Sequence, residues 1–495
     1  MAERGHDTVS DDILATPEAG GKAIRGALIR TTGYGLGLAM SLVSIPLLTR
    51  HLGVVDFGRY VTVLSLIAIV GLISDAGLTV VGVREYAVRD AMARARLVRN
   101  LVGLRVLIAA IGATGATVFA VVAGYTDAMV VGTMFAGVGL VFTAVQQTYT
   151  VPLQSELRLG LVTAFDLARH ALTVIGIVAL ILAGAGLVEF LAIPVPVGLA
   201  VAVAMILALG RRALVLPTFD RAEWRYLTGE ALQVAIASTI GSFFYRVAII
   251  MMSLIATAQE TGYFSASFRI IEAIIMVPGL LTAAAFPIVA RAAYDDHERL
   301  AYSLQRMFDM GVILGAWTAL CVVLGAGPAT NLVGGSEFEP AEPVLRVQGV
   351  ALAASFLVAV WATGLWALRE QRALAWANAV GVGTAAGLTA ALIPGYGAFG
   401  AAIAMTIAEA LLAAIYAFVL MRGRPHLRPS LAAVPKALAA AGPALALWFT
   451  PLPDVLNVVL ATGLFYALLL ALRGIPVEVK NALLGRWRAA RHETV

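Results

Sequence analysis

The stretch SFRIIEAIIMVPGLLTAAAFPIVAR, residues Ser267–Arg291, decides how this chain is read. It is long and apolar enough to cross a bilayer, which takes about 20 such residues. Yet Arg269 and Glu272 sit three residues apart inside the apolar run. A charge at the bilayer centre costs about 2.5–3.5 kcal/mol on insertion scales, so a membrane segment that keeps two of them has a use for them.

Apolar segments recur on both sides of it. They cover 27–49, 60–82, 100–123, 128–150, 161–184, 187–210, 230–256, 263–290, 304–326, 344–368, 374–393, 398–421, 436–451 and 455–472. The 495 residues are 60% hydrophobic and 13% charged, about half the charge of soluble domains. That balance excludes a soluble enzyme. The expected fold is an all-α integral membrane protein of about 14 transmembrane helices. The polar N-terminus has no apolar core of a signal peptide and no small-residue cleavage site, so the first span is expected to serve as an uncleaved insertion signal. The single cysteine, Cys321, excludes an intrachain disulfide and a cysteine metal cluster.

Lysine and arginine set the orientation. With the N-terminus inside, 29 of the 35 fall on the inner side, and only Arg50, Arg59 and Arg346 fall in outer loops. Arg105, Arg246 and Arg269 lie within spans. Both termini are therefore expected in the cytoplasm. The basic pI reflects this bias; no basic stripe with interleaved aromatics suggests nucleic acid. The outer loops are short, and no soluble domain is inserted.

A weak repeat divides the chain. Asp56, Gly58 and Tyr60, after the first span, match Glu260, Gly262 and Phe264, after the seventh, at an offset of 204 residues. Six spans per half give both halves one orientation, a parallel repeat of the kind found in transporters. The expected organisation is a polar cytoplasmic tail (1–25), an N-lobe (26–210), a basic cytoplasmic linker (211–228), a C-lobe (229–421), two further spans (422–472) and a cytoplasmic tail (473–495). The two lobes would be related by a parallel pseudo-two-fold axis.

Three stretches carry a family likeness. In SIPLLTRHLGVVDFGRYVTVLSLIAIVGLISDAGL (Ser44–Leu78), Pro46, Leu52-Gly53, Phe57-Gly58, Tyr60 and Asp75-x-Gly77-Leu78 stand at characteristic spacing. FPIVAR closes span eight, and LIPGYGAFGAAIAMTIAE joins spans eleven and twelve. Over roughly residues 25–421 the chain resembles the polysaccharide (O-antigen and exopolysaccharide repeat-unit) flippases of the multidrug/oligosaccharidyl-lipid/polysaccharide (MOP) exporter superfamily. The resemblance implies a flippase for an undecaprenyl-diphosphate-linked oligosaccharide. It implies transport from the inner to the outer leaflet of the bacterial cytoplasmic membrane, by alternating access of two six-helix lobes. Partners would be the lipid-linked glycan, membrane lipids, and the polymerase and chain-length machinery of the same pathway.

Such a substrate is anionic and hydroxyl-rich at its head, and arginine's planar fork suits a diphosphate. Arg269 and Glu272 share one helix face. Arg246, before the 257–262 turn, is about as far from it as Glu272 is after it. The cluster reads either as a net positive substrate contact or as a salt bridge that fixes two helices. Related lipid II flippases also carry charges on the eighth helix, which favours the first reading. In span one, Arg30, Tyr34, Gly37, Ser41 and Ser44 recur at a helical period. They read as a cavity wall with a cationic entrance, or as a close helix contact. Asp75 and Glu409 are candidates for carrying a coupling ion, or are structural acids. Arg84 and Arg105 are expected to snorkel to the inner interface. Gln146, Gln147 and Tyr149 read as hydrogen-bond partners for sugar hydroxyls or, more simply, as a polar helix end; Trp361 and Trp366 suggest sugar stacking or lipid contact.

No phosphate-binding G-x-x-x-x-G-K-[ST] loop is present, so the chain itself does not hydrolyse ATP. No G-x-S-x-G elbow appears, and the six histidines lie far apart. No catalytic group, metal or cofactor is expected. Two other functions fit part of the pattern. A cation-coupled multidrug exporter of the same superfamily shares the fold. A membrane glycosyltransferase, ligase or polymerase shares the lipid carrier, but needs outer-face catalytic groups that the short loops do not offer.

Overall fold

The computed structural model describes residues 19–210 and 217–474. Among them there is no strand. Lipid offers the backbone no hydrogen bonds, so a helix, which satisfies its own, is the form these apolar segments take. Among the described residues, ten helical stretches are long and apolar enough to span, and two shorter apolar helices, Phe243–Ile255 and Ala433–Phe449, join them.

Two of the ten are double. Helix α1 (Ala19–Asp75) has 57 residues, about 86 Å at 1.5 Å per residue, against a hydrocarbon core of about 30 Å. It breaks at Gly53, whose φ of 69° is open to glycine at little cost. Helix α13 (Gln371–Met421) breaks in the same way at Gly397. Counting both twice gives the fourteen spans expected from the sequence.

The remaining helices are α2 (Leu78–Val88), α3 (Ala91–Val122), α4 (Asp127–Ser155), α5 (Leu159–Leu182), α6 (Leu187–Ala192), α7 (Pro194–Leu209), α8 (Arg221–Ile255), α9 (Ala258–Asp295), α10 (His297–Leu324), α11 (Ala326–Gly334), α12 (Glu342–Ala367), α14 (Ala433–Leu445) and α15 (Asp454–Ala471). Span six is divided between α6 and α7 at Pro194. The stretch between the apolar segments 304–326 and 344–368, expected as a short outer loop, is helical: α11 is followed by a 3-10 helix, Ser336–Ala341. Its glycines and prolines broke the helical pattern without preventing two short helices.

The chain packs as two compact units. One joins the residues up to Ile45 with Ile67–Ala235; the other joins Pro46–Leu66 with the residues from Ile236 on. In the first unit, Leu78 and Val81 of α2 pack with Leu97, Leu101 and Leu104 of α3, Val151 of α4, and Leu227 and Ala231 of α8. The start of α8 is pinned there by polar contacts. The Trp224 indole donates to the Asn100 carbonyl at 3.1 Å, and Asn100 Oδ1 accepts from the Asp220 amide at 3.0 Å. Arg89 bridges Glu223 at 2.5 Å and Glu85 at 3.1 Å. Burial works against the Arg89 charge, but these hydrogen bonds more than offset it and raise the guanidinium above its ordinary value.

In the second unit, α10 carries two cores. Leu300, Leu304 and Phe308 pack with Trp361, Leu365 and Tyr416 of α12 and α13. Ile313, Leu320 and Leu324 pack with Ala440, Ala444, Phe465 and Leu469 of α14 and α15. The repeat-related glycines meet here. A Cβ on Gly58 would lie 2.7 Å from the Gly262 backbone nitrogen, and one on Gly262 would strike the Val54 carbonyl oxygen. Helix backbones in lipid approach this closely only where side chains are absent.

The matching acids have different tasks. Asp56 pairs with Arg59 at 2.9 Å. Glu260 Oε2 accepts the Ala398 amide at 2.7 Å, just past the Gly397 break. Replacing Gly58 by Ala should cost about 1–3 kcal/mol by overpacking, and Gly262→Leu should prevent the crossing. Thermal melting in detergent reads both, with Gly463→Ala, which has open space around it, as the unaffected control.

Candidate functional site

The charges of the opening stretch come together in the second unit. Arg246 of α8 donates from Nη2 to Glu272 Oε1 at 2.7 Å. Arg269 of α9 donates from Nη1 to Glu272 Oε2, also at 2.7 Å. One carboxylate thus serves two guanidiniums, and the trio keeps one net positive charge. The arginine side chains are each 20% exposed and Glu272 32%, so the cluster is neither sealed in the core nor fully solvated. Tyr60, which the sequence reading used only as a repeat marker, lies within electrostatic reach of Arg269.

The neighbour of Arg246 leads to a second site. Tyr245 donates its hydroxyl to Glu409 Oε1 at 3.0 Å, and Ser355 of α12 donates to the same oxygen at 2.8 Å. Glu409 is 2% exposed. Among the described residues no cation pairs with it. Nearby in the unit, Tyr416 donates to Asn378 Oδ1 at 2.9 Å. Glu409 was legible as an intramembrane acid. Tyr245 and Ser355 were not, because a hydroxyl in an apolar run has no distinctive spacing. The only signal was the position of Tyr245 beside Arg246.

The first unit holds the other acid. Helix α1 ends at Asp75, and Ala76 and Gly77 have φ of 26° and 81° before α2 begins. Arg105 of α3 enters this break. Its Nη2 donates to Asp75 Oδ1 and to Thr79 Oγ1, both at 2.7 Å, and the Thr79 hydroxyl donates to Asp75 Oδ1 at 2.6 Å. Arg105 is fully buried. The expectation that it snorkels to the interface is therefore wrong: the break between α1 and α2 gives its charge a partner inside the protein. Arg84 is half exposed and bridges Glu230 at 2.7 Å.

In span one, the period divides between two roles. A Cβ on Gly37 would meet the His170 ring of α5, and the Ser41 hydroxyl lies 3.4 Å from His170 Nδ1. Those positions make a helix contact. Arg30 and Tyr34 are exposed. Gln146 is buried and donates to the Gly198 carbonyl at 2.9 Å. Trp361 is buried against Phe308, and Trp366 is partly exposed. No group of three or more potential metal ligands occurs among the described residues.

Residues 23–293 match the family model described as "Polysaccharide biosynthesis protein". The chain belongs to that family. No curated protein matches it by sequence. Its fold is that of solved MOP superfamily transporters. The lipid II flippase MurJ, in an inward closed conformation, is 10% identical with a TM-score of 0.73, over 89% of this chain and 98% of that one. An inward-facing multidrug resistance MATE transporter of the superfamily is 15% identical with a TM-score of 0.58, over 81% and 98%. A MOP transporter from Pyrococcus furiosus is 13% identical with a TM-score of 0.56, over 86% and 100%. This family member is thus a multi-pass membrane protein with a transporter fold, and the solved proteins sharing that fold are flippases and transporters rather than enzymes.

The Asp75–Arg105 pair makes a direct prediction. Asp75→Ala should destabilise the protein by about 3–5 kcal/mol, because it leaves a buried guanidinium without its counter-charge. The double variant Asp75→Ala/Arg105→Leu should recover most of that loss. Melting temperatures of the single and double variants in detergent decide it.

Proposed function

We propose that the protein is a flippase for an undecaprenyl-diphosphate-linked oligosaccharide repeat unit. It would carry the glycan head from the inner to the outer leaflet of a bacterial cytoplasmic membrane, by alternating access and with both termini cytoplasmic, to supply a polymerase outside. The observation that carries this reading is the Arg246–Glu272–Arg269 cluster. Two cations on one carboxylate leave a positive, partly open site within the membrane. A diphosphate answers that charge, and each guanidinium has further N–H donors to offer it. A cationic drug would be repelled, which counts against the multidrug reading that the MATE-like fold also permits.

In this reading Glu272 holds both arginines in place until the diphosphate arrives. Arg30 and Tyr34, exposed on span one, are assigned to early contact with the head, and Ser41 to the helix contact beside it. Of the two acids considered for ion coupling, Glu409 suits the role. It is buried, it accepts from hydroxyls, and no cation competes for it among the described residues. Asp75 is committed to Arg105. The lobe boundaries at 26–210 and 229–421 follow the same reading, with 211–228 as linker.

Deleting the gene in its native host should leave a complete repeat unit on the inner leaflet, protected from an impermeant glycan-modifying reagent. Arg269→Ala should weaken substrate binding about 10- to 100-fold, the effect of losing a hydrogen bond to a charged group, while Arg269→Lys retains part of it. Full export by Arg269→Ala at equal protein level overturns the assignment. Glu409→Gln should abolish the dependence of transport on an ion gradient and leave substrate binding unchanged. Vesicle uptake with and without an imposed gradient reads that.

A further inference from the structure

The first turns of α8, in the first unit, sort their charges onto opposite faces. Glu223, Tyr226 and Glu230 recur at three- and four-residue spacing, which keeps them on one side of the helix. That side is taken up by α2. Glu223 pairs with Arg89, Tyr226 donates to Glu85 at 3.0 Å, and Glu230 pairs with Arg84. Arg221, Trp224, Arg225 and Thr228 recur at the same spacing on the other side. With Leu104 of α3 they line an open cleft of about 830 Å³, and Ala222 and Tyr226 complete the lining.

The other polar groups of this cleft are occupied. The Trp224 indole donates to the Asn100 carbonyl, and the Thr228 hydroxyl to the Trp224 and Arg225 carbonyls. Asp220, next to Arg221 in sequence, accepts the Ala222 and Glu223 amides through Oδ1. Arg221 and Arg225 are exposed, and neither guanidinium has an ion-pair or hydrogen-bond partner among the described residues. Their placement is unfavourable for the helix alone. Like charges four residues apart repel, and the N-terminal end of a helix disfavours cations. An anion in the cleft would offset both effects.

The surroundings select the kind of anion. Leu104 belongs to the apolar run that begins at 100, and the apolar run of α8 begins at 230, just past Thr228. Phe219, 69% exposed, packs edge-on to Trp224 with ring centroids 5.4 Å apart. Two free guanidiniums thus lie beside exposed aromatic surface and the starts of two apolar runs. A free phosphate uses only the guanidiniums. A phospholipid, whose phosphate is joined to acyl chains, uses both. We propose that this cleft binds the headgroup of an anionic phospholipid, with Arg221 and Arg225 donating to its phosphate. Each guanidinium can give two parallel hydrogen bonds to phosphate oxygens, and two positive charges favour a lipid of net negative charge over a zwitterionic one. The site uses none of the residues assigned to the transported lipid, and it does not rest on the flippase reading.

Purified full-length protein in detergent, titrated with lipid and read by native mass spectrometry, should bind phosphatidylglycerol in preference to phosphatidylcholine. Arg221→Ala/Arg225→Ala should weaken phosphatidylglycerol binding about 30-fold, the combined effect of two arginines on an anionic lipid, and leave phosphatidylcholine binding unchanged. Arg221→Lys/Arg225→Lys should keep most of the affinity. Because the arginines have no partner to lose, both variants should melt at the temperature of the unmodified protein when no lipid is added. Phosphatidylglycerol should then raise the melting temperature of the unmodified protein and of the lysine variant, but not of the alanine variant. Arg291→Ala/Arg299→Ala removes as much charge from exposed positions elsewhere and should leave binding intact. An equal loss in that control means only a general attraction of basic surface for anionic lipid, and overturns the proposal. So does displacement of phosphatidylglycerol by inorganic phosphate, which assigns a soluble anion to the same arginines. Tighter binding of undecaprenyl phosphate than of phosphatidylglycerol there assigns the carrier instead, and also overturns it.

Discussion

A chain in hydrocarbon must satisfy every backbone hydrogen bond from within, and the rest of this structure follows from how it handles the places where a helix stops. Each break has a local answer. At Gly397, Glu260 takes up the Ala398 amide. At Ala76 and Gly77, Asp75, Thr79 and Arg105 close a small polar network. At Gly53, the chain turns back where α11 and its 3-10 turn lie near, with Arg50 donating to the Asn331 and Leu332 carbonyls and Phe57 packed edge-on to Phe338. The special side chains of the protein collect at these interruptions or on the helices that flank them.

The three intramembrane acids show how the surroundings distinguish one residue type. Asp75 has one buried cation, Arg105, and one hydroxyl donor, Thr79, so its charge is matched and its position fixed. Glu272 has two cations, so its surroundings remain positive. Glu409 has hydroxyl donors and no cation among the described residues. A matched pair holds a fold together, a surplus of positive charge attracts an anion, and an unmatched buried carboxylate responds to a proton or metal ion. The roles proposed for them follow from those differences in charge balance.

Much of the fold was legible because its signals are one-dimensional. Fourteen apolar segments, the lysine and arginine bias and the glycines at the turns can all be counted along the chain. The Arg269–Glu272 contact was legible for the same reason, since residues three apart share a helix face. The Gly58–Gly262 crossing was only hinted at by a loose repeat; its partners are 204 positions apart, and nothing local says that they touch. Arg105 was misread because its partner comes from a different helix. Tyr245 and Ser355 went unnoticed because their partner, Glu409, lies in a distant part of the chain.

The sequence by itself determined that the chain crosses a membrane about fourteen times, which loops carry the positive charge, and where charges lie within the apolar runs. Hydrophobic length and charge bias act along the chain, so no partner is needed to read them. Only the tertiary structure decided which acid meets which cation and which glycines let backbones touch. Those depend on helices distant in sequence arriving side by side, where the low dielectric of the interior makes a matched charge stable and an unmatched one reactive.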